Sequence, residues 1–151
     1  MAKMTAGEFD TFGPVTARGT VYPWHCDHMG HMNVTWYVNK FDDATWNYFA
    51  SLGLTLAYFD KHHSGMAAVQ QNITYEKELL AGDTVAVTTQ TRGVRGKTLY
   101  FVHRLYNAQT GERAALCDLT VVHLDRKMRR AIPFEPELAE AIKATIVEDG
   151  D

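Results

Sequence analysis

Nine consecutive residues, His25-Cys26-Asp27-His28-Met29-Gly30-His31-Met32-Asn33, concentrate the reactive groups of this 151-residue chain. Asp27 is a carboxylate set among Trp24, Met29, Met32 and Trp36, an apolar setting unusual for a loop. Gly30, three residues on, allows the backbone to approach a ligand closely. Asn33 is a good helix N-cap, and a helix starting at Val34 points unpaired N–H groups toward the same region. A carboxylate facing such a helix end is the minimum apparatus for hydrolysing an acyl group. The first attacks the carbonyl or activates water, and the second stabilises the tetrahedral oxyanion. One oxyanion donor is typically worth about 2.7–4 kcal/mol of the barrier, and the helix dipole adds about 0.3–2 kcal/mol.

The neighbouring groups invite other chemistry and support it less. His25, His28 and His31 at three-residue steps match no strong zinc spacing, so no metal is expected. His62 and His63 form a second pair without an assignable role. His31, between Gly30 and the cap, is placed to orient Asp27 or to touch substrate. Cys26 would need a base and an electropositive pocket to act as a nucleophile, and the negative charge of Asp27 beside it opposes that. Tyr37 falls on the apolar stripe of the helix, while Trp24 and Trp36 either wall a pocket or belong to the core. Arg92, Arg95 and Lys97 flank a glycine-rich turn, and Arg126, Lys127, Arg129 and Arg130 precede the last helix. Two such clusters on an acidic chain suit an anionic carrier such as a phosphorylated nucleotide tail. Neither a P-loop nor a GxGxxG in strand–helix context accompanies them.

The elements that must position these groups follow from periodicity. Val15 to Trp24 reads as a first strand, with Pro23 near its end. Val34, Tyr37, Val38, Phe41, Ala44, Thr45, Tyr48 and Leu52 recur at helical spacing, while Asn39, Lys40, Asp42, Asp43 and Asn47 fall elsewhere. Asn33 starts this helix and Gly53 stops it, after about five turns. Trp36 and Trp46 lie off the stripe and also need partners, so something wraps around the helix. Leu54 to His63 is a short helix or an irregular turn. From Met66 the chain is β-rich, with turns at Ala81–Asp83, Gly93–Gly96 and Gln109–Glu112, and a short helix covers Glu135–Ile146. Consecutive strands with short turns make an antiparallel meander. The whole is an α+β arrangement in which the sheet curls around one long central helix.

Size and composition bound the rest. The length fits one domain over residues 1–151, with its core at about 13–146. A net charge of -3 gives no field for duplex nucleic acid. Two cysteines, Cys26 and Cys117, make no disulfide framework and suit a reducing, cytoplasmic setting. The lead MAKMTAGEFDTFG has no apolar run and is not read as a signal peptide, and no window approaches the roughly 18 apolar residues of a membrane span.

The stretch VYPWHCDHMGHMNVTWYVNKFDDATWNYFASLG resembles the N-terminal signature of the hot-dog thioesterases of the 4-hydroxybenzoyl-CoA thioesterase family. Asp27, Gly30 and Tyr37 match the family's Asp–Gly–Tyr pattern, and GHMN resembles its acyl-CoA and acyl-carrier-protein branches. The similarity extends to GDTV, GKTLYF, LTVVHLD and RRAIPF. The resemblance implies a hot-dog fold and hydrolysis of an acyl-CoA thioester, with an acyl-carrier-protein thioester as the other carrier. Asp27 would be nucleophile or general base, the backbone N–H near Val34 would polarise the carbonyl, and Asn33 and His31 would assist. Gly30, Trp24 and Tyr37 would line the substrate site, with Arg95, Lys97, Arg129 and Arg130 on the phosphates of coenzyme A. No cofactor is implied beyond the coenzyme A of the substrate. Self-association as a homodimer or homotetramer would place the site between subunits, without nucleic acid or membrane as partner. A non-hydrolytic acyl-CoA binding module on the same fold is the alternative, and a hot-dog dehydratase a more distant one.

Overall fold

The computed structural model describes residues 13–148. Nearly all of the polar N-terminal lead, and the last three residues, lie outside them. The long helix forms where the periodicity places it: α1 (Val34–Ser51) runs 18 residues and buries Tyr37, Phe41, Ala44, Thr45, Tyr48 and Phe49. Gly53, at φ 88°, takes the left-handed conformation that ends it.

The sheet that receives this face is antiparallel throughout. Its strands are β1 (Val15–Thr20), β2 (Ser64–Tyr75), β3 (Thr84–Arg95), β4 (Thr98–Asn107), β5 (Arg113–Asp125) and the two-residue β6 (Arg130–Ala131). Their order is β1-β3-β4-β5-β2, with β6 pairing β5. Val85, Val87, Leu99, Phe101, Leu105, Ala115, Leu119 and Val121 meet the buried face of α1 in a single core. Phe101 is packed between Tyr48 and Phe49, at 4.7 and 5.8 Å between ring centroids. Burying one such side chain is worth about 1.5–3 kcal/mol, so this contact fixes the helix in the sheet's curl. Two smaller helices complete the chain: α2 (Leu56–His62), capped by Thr55, and α3 (Pro136–Lys143), which buries Ile142. Among the described residues no helix is long and apolar enough to cross a membrane.

Several boundaries differ from the sequence reading for identifiable reasons. The first strand stops at Thr20, because Pro23 opens a 3-10 turn over Pro23–His25. The β3–β4 turn is Gly96-Lys97, with Arg95 opposite Thr98 and Gly96 at φ 58°; Gly93 instead sits at a bulge. Lys40, assigned to the polar side, is buried at 9% exposure. Its stem lies between α1 and β1, and its Nζ donates to the Thr20 carbonyl at 3.3 Å. Burial holds its pKa below the ordinary lysine value.

A polar thread crosses the core behind α1. Thr45 Oγ1 donates to the Phe41 carbonyl (3.0 Å) and lies 2.8 Å from His103 Nε2. Because Thr45 gives its proton to Phe41, the His103 ring donates from Nε2. Nδ1 then accepts from Thr89 Oγ1 at 2.7 Å, and Thr16 Oγ1 follows 2.8 Å beyond. Complete burial pushes the His103 pKa down to about 3, so the ring is neutral.

β2 is one edge of the sheet and is unusually bare. Ala68 through Asn72 are exposed, Val69 is 59% and Tyr75 47% exposed, and a bulge lies between Ala68 and Gln70. The opposite edge, β1, has six residues and its own bulge.

Candidate active site

The Asp27 loop is a tight hairpin pinned to both the helix and the sheet. Cys26 and Met32 pair as an antiparallel bridge, Asp27 N–H donates to the His31 carbonyl (3.2 Å), and Gly30 N–H donates to the Asp27 carbonyl (3.0 Å). Met32 is buried, and its N–H reaches the Leu79 carbonyl at 2.8 Å. Gly30 has φ 87°, and a Cβ built there would meet nothing within 4 Å. Within this chain the glycine is therefore required by the turn's left-handed backbone and not by crowding.

Asn33 links the carboxylate to the helix. Its Oδ1 accepts from Thr35 N–H (3.0 Å), which caps α1, while its Nδ2 donates to Asp27 Oδ2 (2.8 Å). Asp27 Oδ1 accepts from Met29 N–H at 2.9 Å. The Asn33 bond above all, then the Met29 bond, with the nearby His31 and His28, holds the Asp27 pKa below the usual carboxylate value. Asp27 is thus an ionised carboxylate with a fixed orientation. In the first turn of α1, the Thr35 amide goes to Asn33 Oδ1 and that of Trp36 to the Asn33 carbonyl (3.0 Å), while the Val34 N–H has no partner among the described residues.

Val34 opens on a cavity of about 280 Å³ lined by His31, Met32, Val34, Tyr37, Tyr75, Glu76, Lys77 and Glu78. Tyr37 and Tyr75 meet at 89° with ring centroids 5.0 Å apart. The Tyr37 hydroxyl donates to the Lys77 carbonyl at 3.4 Å. Burial, followed by the neighbouring Tyr75 and Glu78, pushes the Tyr37 pKa up to about 12, so the phenol keeps its proton. Glu76 is clamped by Arg113, with Nε to Oε1 at 2.6 Å and Nη2 to Oε2 at 2.9 Å.

The expected site residues therefore divide into two groups. Asp27, Gly30, His31, Asn33, Val34 and Tyr37 converge at the helix start. Of these, His31, Val34 and Tyr37 line the cavity, while Asp27, Gly30 and Asn33 form the loop beside it. Trp24 is likewise outside the lining; it is 66% exposed and stacked on Tyr22 at 4.5 Å. His25 turns away, buried against Trp36 at 4.3 Å, with Nδ1 accepting from Tyr22 N–H. Among the described residues no group of three His, Cys, Asp or Glu is arranged to hold a metal ion.

The basic residues are elsewhere. The β3–β4 turn bonds to the end of β5, through Lys97 carbonyl to His123 N–H (2.9 Å), and to the segment after it, through Gly96 carbonyl to Phe134 N–H (3.1 Å). This brings Arg95, Lys97, Arg129 and Arg130 to one end of the sheet. The Asp27 loop is tied to the other end, where Val21 N–H bonds the Asp83 carbonyl just before β3. The length of β3 separates the two, on the order of 35 Å. Within one chain, the expected phosphate-binding residues and the expected carboxylate cannot share a small ligand's reactive centre.

The sequence reading missed Tyr75, Lys77 and Glu78, which arrive from the end of β2. Their only sequence signal was a place in the later half of the β-rich stretch that begins at Met66, and nothing local linked that stretch to Asp27.

Comparison with known proteins identifies the family and the fold. The family model of the thioesterase-like superfamily matches residues 21–142. The betainyl-CoA thioesterase of Pseudomonas aeruginosa is 30% identical over 137 residues, covering 86% of each chain. The long-chain acyl-CoA thioesterase FadM of Escherichia coli is 23% identical, over 82% of this chain and 92% of its own. A Staphylococcus aureus protein solved in complex with CoA superimposes with a TM-score of 0.81 at 22% identity, covering 91% of this chain and 89% of that one. The sheet wrapped on α1 is the hot-dog fold, and the chain belongs to the thioesterase-like superfamily.

Proposed function

We propose that this protein is an acyl-CoA thioesterase whose reaction centre is Asp27 and the start of α1. The observation that carries the reading is the Asn33 side chain, which holds Asp27 Oδ2 with one end and caps α1 with the other. It sets an ionised carboxylate beside a helix N-terminus that has an amide to offer. The thioester carbonyl oxygen takes the Val34 N–H. Asp27 then either attacks the carbonyl carbon, giving an anhydride that water opens, or removes a proton from the attacking water. In both cases the tetrahedral oxyanion is stabilised at Val34 and its collapse breaks the C–S bond to release CoA thiol; the free acid leaves at once on the water route, and on the other when water opens the Asp27 anhydride. His31 lines the same cavity and contacts the acyl portion. The reaction is complete with these groups, without a metal or other cofactor. The two free cysteines fit a cytoplasmic setting.

The same reading makes the protein a homo-oligomer with sites shared between subunits. Two features support this. β2 is a long, exposed edge strand of the kind that proteins pair or cover. Antiparallel pairing of β2 with its copy would also carry the basic end of one subunit toward the Asp27 end of the other. Arg95, Lys97, Arg129 and Arg130 would then serve the coenzyme A phosphates of the neighbouring site.

The test is Asp27→Asn, which preserves shape and removes the charge. Hydrolysis of CoA thioesters should fall by about a thousand-fold or more, the scale of losing a nucleophile or base, with circular dichroism and melting temperature retained. Undiminished turnover would refute the assignment. Retained acyl-CoA binding without turnover in the unaltered protein would mark a binding module instead.

A further inference from the structure

The charges around the cavity at the start of α1 do not balance. Glu76 is neutralised by its two bonds to Arg113, and the Lys77 ammonium is turned to Glu112, 3.9 Å away. No cation among the described residues pairs with Glu78, which lines the same cavity. Tyr37 and Tyr75 stand at right angles beside it and form a corner of two aromatic walls, with Met32 behind. Aromatic faces and an unpaired carboxylate together attract a cation. They suit a quaternary ammonium, whose methyl groups pack on ring faces that hold its charge electrostatically. The position matters as much as the composition. The corner shares its cavity with Val34, so a cation held there sits within a short acyl chain of the carbonyl that Val34 would bind.

We infer that the acyl group selected by this site carries a fixed positive charge, a quaternary ammonium one or two carbons from the thioester carbonyl, seated in the Tyr37–Tyr75 corner against Glu78. This rests on the thioesterase reading and adds the substrate class to it. The betainyl-CoA thioesterase relative is a protein whose name carries such an acyl group. Tyr37 thereby gains a substrate contact besides its packing in α1, and Tyr75 and Glu78 become specificity residues.

The experiment compares two CoA thioesters of the same shape: trimethylammonioacetyl-CoA and 3,3-dimethylbutanoyl-CoA, in which a quaternary carbon replaces the nitrogen. Because the cation also activates the carbonyl chemically, each kcat/KM is divided by the rate of hydroxide hydrolysis of that thioester. The corrected ratio should favour the cation by about ten-fold or more, the scale of a desolvated cation–π contact. Glu78→Gln and Tyr75→Leu should each collapse the ratio, and Tyr75→Phe, which keeps the ring, should preserve it. A ratio near one, a preference for the neutral thioester, or a ratio that Glu78→Gln leaves unchanged overturns the inference while leaving the thioesterase reading intact. Hydrolysis of neither thioester also overturns the inference, whereas the thioesterase reading falls only if no CoA thioester, short or long, is hydrolysed.

Discussion

The two ends of the Asn33 amide set both the orientation and the ionisation of Asp27. The donated bond lowers the Asp27 pKa, so the reactive carboxylate is present above that value and lost as pH falls through it, below the usual 3.8. Replacing Asn33 with Asp should keep the helix cap, because Asp and Asn cap equally well. It would, however, exchange the donor for a like charge beside Asp27, and like charges raise a carboxyl pKa. In Asn33→Asp the acid limb of the kcat/KM profile should therefore move up, into a range where the folded enzyme is readily assayed. An acid limb that stays in place would show that the titrating group is not Asp27. Gly30 works differently: its φ of 87° closes the turn that brings Asp27 back over His31, and a larger residue would strain that turn without filling any space in this chain.

At the scale of elements, α1 is held by its aromatic stripe and by the polar thread through Thr45 and His103. His103 titrates near 3 in the fold, against an ordinary value of 6.5. Below about 6.5 the unfolded chain takes up a proton that the folded ring refuses, so stability falls with pH through this window, by about 1.4 kcal/mol per unit from this residue. Chemical denaturation from pH 7 to 4 should show the slope, and His103→Gln should flatten it; an unchanged slope would assign it to the other buried histidines alone. This scale also shows what a sequence can carry. The extent of α1, its cap and its stop were legible because periodicity and capping are local, and Asp27 and Asn33 lie only six positions apart. Lys40 was misplaced because a helical wheel does not reveal that β1 crosses the polar side of α1. The corner of Tyr75 and Glu78 was invisible for a related reason, since it depends on where the end of β2 lands relative to Tyr37, 38 positions earlier for Tyr75. Arg129 and Arg130 were recognised as a basic cluster, but their distance from Asp27 follows from strand order, which composition does not encode.

For the whole molecule, that distance gives the shared-site reading a sharp test. If the phosphates of one site are held by the other subunit, an Asp27→Asn chain and an Arg129→Ala/Arg130→Ala chain have complementary defects. Mixed dimers would contain one intact site, combining the carboxylate of one chain with the arginines of the other. Co-expression should then restore hydrolysis at low substrate concentration to about a quarter of wild type, the statistical yield for random two-fold pairing. If both groups served the same chain's site, no mixture would recover. The two edge strands of the described sheet also differ in a way that bears on how assembly ends. β2 has 12 residues and β1 only six, each interrupted by a bulge. Joining like to like at β2 uses up the long edge of both subunits in a single closed step, whereas joining β2 to β1 would leave a fresh edge each time and build a fibre. A short, kinked β1 is a poor template for that second mode, so the mismatch between the edges gives the growing sheet a natural terminus.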